Sequence, residues 1–287
     1  MSKKVVFITG TNSGFGYLTA KSCAAKGYTV YATIRDIATR NAEKAKELAA
    51  TENINVVELD VTDSKAVKNV ISDIITKEGQ LDVIINNAGY FGGGLAEAYT
   101  EEDLEKMLDV HVKGAWRVTK ASLPQMRKQG EGLIINISSG LGRFSAPFMT
   151  IYNSAKFAVE GLSEGLHYEV RPFGVDVAII QPGAFPTEIF GKSTYGSDHS
   201  ILPSYGDLAK VPENIGEGMG KMFEAMQPNP QMVPDAILKL IETPKGQRPL
   251  RTVADGMTGE FVETANKQVK VQYDNFLTAF GMQELLK

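Results

Sequence analysis

The sequence predicts an α/β fold in which one doubly wound, seven-stranded parallel sheet is flanked by helices. Two observations carry this prediction. Short, uninterrupted apolar runs ended by turn residues, the pattern of strands buried on both faces, recur along the chain. Between them lie longer segments with apolar residues at helical spacing, and no compositional break, repeat or low-complexity tract divides the chain. We therefore read residues 1–287 as a single domain, with a variable substrate loop region at 184–232 and a C-terminal helical extension at 257–287.

Composition narrows the class further. The chain is 43% hydrophobic and 22% charged, ordinary values for a soluble globular protein and contrary to disorder. Its formal charge of −4 provides no basic footprint, so a nucleic-acid partner is not expected. Cys23 is the only cysteine, which excludes an intrachain disulfide framework and a cysteine-rich metal site. No His/Cys/Asp cluster has zinc spacing, and no metal is expected. The apolar run after Lys3 and Lys4 is too short for a secretory signal, and none approaches the ~20 residues of a membrane span. A cytoplasmic protein without membrane association is the expectation.

Residues 5–8 read as the first strand, and Thr9-Gly10-Thr11-Asn12-Ser13-Gly14-Phe15-Gly16 follows at once. Glycines permit tight turning and close backbone approach to a ligand, and a helix at 15–26, stopped by Gly27, opens from this loop. A helix N-terminus behind a bare loop suits a pyrophosphate. Residues 29–34 form the second strand, completing a β-α-β unit. Its end carries both alternatives for the cofactor ribose: an acid there bonds a hydroxyl, an arginine accommodates a 2′-phosphate. Arg35 is preferred, because Asp36 is placed to cap a helix starting near Ile37.

The third strand, 55–59, delivers Asp60 and Val61 to the carboxyl edge of the sheet, where open α/β sheets bind ligands. Asp63 is expected to cap the next helix from Ser64. A fourth strand, 81–85, leads into Asn86-Asn87-Ala88-Gly89, whose amides suit bracing of neighbouring strands at a cofactor cleft. Residues 101–128 read as one long helix, and 132–138 as the strand that brings Ser139 to the same edge. On the following helix Tyr152 and Lys156, four residues apart, aim a phenol and an ammonium at one point. An adjacent ammonium lowers a phenol's pKa and makes it a general acid or base. A sixth strand, 176–181, ends at Pro182-Gly183; a helix at 234–241 precedes the seventh strand, 250–253.

Thr9-Gly10-x-x-x-Gly14-x-Gly16, Asn86-Asn87-Ala88-Gly89, Ser139, Tyr152-x-x-x-Lys156 and Pro182-Gly183-x-x-x-Thr187 together resemble the short-chain dehydrogenase/reductase family, in particular its NADP-preferring members similar to 17β-hydroxysteroid dehydrogenases. The resemblance implies a Rossmann-type oxidoreductase that transfers a hydride between a nicotinamide dinucleotide and a carbonyl or alcohol. It further implies that Tyr152 protonates the carbonyl oxygen, Lys156 holds the nicotinamide ribose and lowers the tyrosine pKa, and Ser139 hydrogen-bonds the substrate oxygen. The implied cofactor contacts are Gly10, Asn12, Ser13, Gly14, Phe15, Gly16, Arg35, Asp60, Val61, Asn87, Ala88, Gly89, Tyr152, Lys156, Pro182, Gly183 and Thr187, with NADP(H) preferred and NAD(H), through Asp36, the alternative. His111 stands where most members carry an asparagine that completes a catalytic tetrad. The family's habit implies a homodimer or homotetramer.

Beyond Pro182 the pattern loosens and carries Phe185, Ile189, Phe190, Tyr195, Tyr205, Met219, Met222 and Phe223 among glycines. With Phe91, Phe144, Phe148 and Met149, these suggest a mostly apolar pocket for a small apolar carbonyl or alcohol, aromatic or polycyclic substrates included. The expected activity is an NADP(H)-dependent carbonyl reductase or alcohol dehydrogenase. A dinucleotide-sensing protein without turnover is the reading from another class, and it has no use for Ser139, Tyr152 and Lys156 together.

Overall fold

In a computed structural model, which describes residues 3–286, the chain forms the expected parallel sheet. β1 (Val5–Ile8), α1 (Gly14–Ala25) and β2 (Thr29–Ile34) make the first β-α-β unit. α2 (Ala42–Ala49), β3 (Ile54–Glu58), α3 (Ser64–Glu78) and β4 (Val83–Asn86) follow, then a two-residue strand β5 (Gly92–Gly93). α4 (Glu101–Leu108) and α5 (Ala115–Gln129) precede β6 (Gly132–Ile137), α6 (Thr150–Val170) and β7 (Val175–Pro182). A second short strand, β8 (Thr194–Tyr195), then α7 (Val211–Met226), α8 (Met232–Glu242), β9 (Arg251–Ala254) and α9 (Gly259–Ala279) complete the order. The seven-stranded sheet runs β3-β2-β1-β4-β6-β7-β9 with every neighbouring pair parallel.

The two faces of the sheet follow from the period of two along each strand. Val6 and Ile8 of β1 pack with Ala20 and Cys23 of α1, Leu48 of α2 and Ile237 of α8. Val5 and Phe7 point the other way, into Ile71 of α3, Val118 of α5 and Leu166 of α6. Burying each such side chain is worth roughly 1.5–3 kcal/mol, and both faces are covered, so the strands need no polar side. Asp63 caps α3 as expected, its carboxylate accepting from the amides of Lys65 and Ala66 at 2.8 and 2.9 Å.

Three local expectations are corrected. The helix expected from Ile37 begins only at Ala42, because Asp36 adopts φ +53° and the chain turns through 36–41, held by Asn41 Nδ2 donating to the Arg35 carbonyl at 2.7 Å. Asp36 therefore caps nothing and instead accepts from Arg40 at 2.8 Å. The helix expected over 101–128 is interrupted by a π-helical turn at Asp109–Gly114. In the region 184–232, expected as loop, α7 is a full helix. Lys287, at the end of the expected C-terminal extension, lies outside the described residues.

β5 and β8 pair only through Gly92 with Thr194 and Gly93 with Tyr195. This pairing fastens the segment after β7 to the carboxyl end of the main sheet.

Candidate functional site

The carboxyl ends of β1, β4, β6 and β7 border one cavity of about 1010 Å³. Its polar end is built by the glycine loop. Gly10 has φ +69°, and a Cβ there would stand 2.8 Å from the Ala88 Cα, so the loop approaches the turn after β4 as only glycine allows. Thr9 and Asn87 lock this approach: Thr9 Oγ1 accepts from the amides of Asn87 and Ala88 at 2.9 Å each. Asn87 Nδ2 donates to the carbonyls of Thr9 and Gly10 at 2.8 and 2.9 Å. Gly16 is buried against Gly10 and Asn87 and does not line the cavity; of the cofactor contacts implied by the resemblance, it alone stands behind the wall.

Arg35, Asp60 and Val61 line the far side, with Arg35 Nη1 3.4 Å from Asp60 Oδ2. Arg40 lines it too, a residue that sequence reasoning missed because only the turn at 36–41 carries it back to the cavity. Asp36 is not part of the wall. Pro182, Gly183 and Thr187 close the side after β7, and Phe15 meets Phe185 edge-on at 5.6 Å between ring centres.

Beneath the cavity the strands are tied by side chains. Asn86 Nδ2 donates to Asn136 Oδ1 on the neighbouring strand at 2.8 Å, and Asn136 Nδ2 to Ser163 Oγ of α6 at 2.8 Å. Lys156 Nζ donates to the Ile137 carbonyl at 2.9 Å, fixing α6 to the end of β6, two residues before Ser139. Ser139 starts a short 3₁₀ turn and accepts from the Leu141 amide at 3.1 Å; its hydroxyl also hydrogen-bonds the Tyr152 phenol. The three side chains expected to converge do so on one wall.

Their electrostatics differ from the expectation. Burial pushes the Tyr152 phenol up to about 12, opposed only by the hydrogen bond with Ser139. The expected downward pull from the neighbouring ammonium does not prevail. Lys156 Nζ stands 5.6 Å from the centre of the Tyr152 ring, and burial holds its own pKa down at about 8 against the upward pull of Glu160. Tyr152 is thus a protonated phenol throughout the neutral range.

Glu160 anchors a buried polar network behind Lys156. It accepts from Arg251 Nε and Gln181 Nε2 at 2.8 Å each, while Asn266 of α9 bridges Gln181 and Arg143 at 2.7 and 2.9 Å. The C-terminal helix is thereby joined to the helix that carries Tyr152 and Lys156.

His111 sits in the π turn, buried, with its ring edge-on to Tyr152 at 5.8 Å between centres. Its Nε2 reaches the main chain of Tyr90, 2.9 Å from the carbonyl oxygen and 3.2 Å from the amide nitrogen. Burial, and then the Lys156 charge, push its pKa well below the usual histidine range, so the imidazole is neutral. A Cβ on Gly89 would fall 2.5 Å from His111 Cε1; the glycine makes room for the ring. Among the described residues no three His, Cys, Asp or Glu side chains lie together as a metal site, and no helix is long and apolar enough to cross a membrane.

The arrangement has known counterparts. Residues 4–197 match the family model described as short chain dehydrogenase. A 3-ketodihydrosphingosine reductase from Bacteroides thetaiotaomicron is 40% identical over 190 residues, covering 65% of this chain and 66% of that protein. The 17-beta-hydroxysteroid dehydrogenase type 1 of Homo sapiens is 34% identical over 253 residues, 85% of this chain and 76% of that protein. A short-chain dehydrogenase from Streptomyces avermitilis, solved by crystallography, superposes with a TM-score of 0.75 at 32% identity, covering 98% of both chains. A glycine loop, a serine and a Tyr-x-x-x-Lys pair on one cavity, in a chain matched by that model over 4–197, identify this protein as a member of the short-chain dehydrogenase/reductase family, an NAD(P)-dependent oxidoreductase.

Proposed function

We propose that the protein is an NADP(H)-dependent carbonyl reductase or alcohol dehydrogenase acting on an apolar ketone or secondary alcohol. The observation that carries the reading is one cavity whose polar end is the glycine loop and whose apolar end holds Ser139, Tyr152 and Lys156. The cradle fits a dinucleotide: bare backbone at Gly10 and Gly14, the N-terminus of α1 behind it, and room for both cofactor and substrate. When bound, the nicotinamide supplies or accepts the hydride. The chain's own part is the proton and the orientation. Ser139 and Tyr152 direct two hydroxyls at the substrate oxygen, and the high pKa of Tyr152 keeps a proton on it for donation as that oxygen gains charge. Lys156 supplies a nearby positive charge that favours the phenolate left after transfer.

Arg35 and Arg40 on the wall beside Asn12 and Asn41 support NADP(H) over NAD(H), since two guanidiniums suit a 2′-phosphate and Asp36 is engaged by Arg40. Following NADPH and NADH absorbance over a panel of ketones tests the whole reading; consumption of neither with any ketone overturns it. Arg35→Ala and Arg40→Ala are each expected to weaken NADPH binding by roughly tenfold, about the worth of one charge-assisted hydrogen bond, with NADH affinity held. Unchanged NADPH affinity in both variants would remove the phosphate assignment.

We assign His111 a positioning role. A neutral ring bonded to the Tyr90 main chain supports the turn after β4 and carries no charge to the reaction, and the π turn is a backbone feature that outlasts the side chain. His111→Asn is therefore expected to keep at least about a tenth of the parental kcat. A loss of several hundredfold, with unchanged NADPH affinity, would mean that the imidazole moves protons itself.

A further inference from the structure

The apolar end of the cavity continues past Tyr152. A second cavity of about 300 Å³ opens beside it, and Phe91, Met149, Phe190 and Met219 belong to the walls of both. Aromatic rings lead from one to the other without a break: Tyr152 to Phe91 at 5.1 Å between centres, Phe91 to Phe190 at 5.5 Å, and Phe190 to Phe223 at 5.6 Å. The opposite side is α7, whose Ile215, Met219 and Phe223 recur every four residues and share one face. An amphipathic helix ordinarily sinks such a face into the core, yet no residue of α7 is fully buried. The stripe borders the cavity instead. Gly216 and Gly220 lie beside it, and a Cβ on either would meet nothing within 4 Å. Among the described residues no charged side chain lines the second cavity, and its one serine, Ser193, already donates to the Phe190 carbonyl at 2.7 Å.

We propose that this second cavity receives the hydrocarbon tail of the substrate, so that the enzyme acts on ketones or secondary alcohols carrying an unbranched aliphatic chain. The assignment rests on the carbonyl chemistry proposed above. Among the described residues the walls carry no charge, and their polar side chains are Ser193 and Tyr195 alone; such walls bind methylene chains by removing them from water. The passage past Phe91 and Phe190 suits a chain that bends at every bond. A rigid fused-ring substrate fills the main cavity and leaves Ile215 and Phe223 of α7 uncovered.

The test is a homologous series from 2-butanone to 2-decanone with NADPH. kcat/KM is expected to rise by roughly fourfold per added methylene until the second cavity is filled. Ile215→Trp and Gly220→Leu, which place bulk in that cavity from two positions on α7, are expected to cut the 2-decanone value by about tenfold or more and the 2-butanone value by less than about twofold. Both substitutions suit a helix interior, and thermal denaturation checks that the fold is kept. A chain-length dependence that is flat in the parent, or an equal loss for both ketones in the variants, overturns the tail site. Titration calorimetry of 2-decanone into the protein carrying NADP⁺, where the ketone cannot be reduced, reads the tail contact without turnover; a negative heat-capacity change lost in the variants is the expected signature. Tail binding with no reduction of any ketone would remove the proposed reaction and leave the site, whereas reduction without any length dependence would remove the site and leave the reaction.

Discussion

Tyr152→Phe lowers kcat by roughly 10²–10⁴-fold, the usual worth of a positioned general acid, while NADPH affinity and Tm stay at parental values. The change removes one oxygen and keeps the ring. Contacts of that ring with Phe91, at 5.1 Å, and with His111, at 5.8 Å, do not involve the hydroxyl, so the wall of the cavity survives. Ser139 loses one partner but still accepts from the Leu141 amide. What disappears is a proton held at a pKa of about 12, on a group that no other side chain in the cavity replaces at the same point. Steady-state kinetics with fluorescence titration of NADPH separates the effects. A variant that turns over at near-parental kcat would end the assignment of Tyr152 as proton donor.

Lys156→Met gives the opposite pairing of effects: turnover falls and the fold becomes more stable. Burial holds the Lys156 pKa at about 8, below its ordinary 10.5. Because the folded value is the lower one, the folded state disfavours the charged form, and the cost is fully present below about pH 8. It disappears as pH rises from about 8 to 10.5, so that stability increases through that window. A shift of this size corresponds to about 3 kcal/mol, and losing the hydrogen bond to Ile137 offsets about 1. Methionine fills the space without a charge. Glu160 keeps Arg251 and Gln181 as partners, so no buried carboxylate is left alone. A net gain of about 2 kcal/mol raises Tm by roughly 4–8 °C at pH 7. Denaturation scans at pH 7 and pH 10 check it, with a smaller gain expected at the higher pH. A lower Tm than the parent at pH 7 would show that the ammonium stabilises the fold where it stands.

The sheet was legible because its strands are covered on both faces and so read as continuous apolar runs, and the site was legible because its residues sit at strand ends or four apart on a helix. What escaped has a local physical cause in each case. The turn at 36–41 depends on Asp36 in a left-handed conformation, which a residue other than glycine rarely advertises, and with it went both the true start of α2 and the return of Arg40 to the cavity. The π turn at Asp109–Gly114 shifts the helical register by a fraction of a turn, too little to disturb the apolar spacing. In α7, Gly216, Gly218 and Gly220 weaken the helical signal, and the stripe that remains covers a cavity where a core would have sharpened it. The pKa order of Tyr152 and Lys156 was hidden for another reason. Spacing reveals that two groups meet, whereas burial, which dominates both shifts, is a property of everything packed around them.

The pairing of β5 with β8 sets a clock as well as a position. The strand pairing, the bonds of Ser197 and Asp198 to Asp103 and Ala98, and that of Tyr205 to Glu97 hold the segment from Thr194 to Tyr205, whereas α7 behind it buries no side chain fully, so releasing α7 exposes little apolar surface. The seven-stranded sheet, by contrast, opens only with the whole molecule. Amide exchange across residues 211–226 is therefore expected to run far ahead of exchange in β1, β4 and β6, and the same openings would pace the exit of the long-chain product proposed above past Met219 and Phe223.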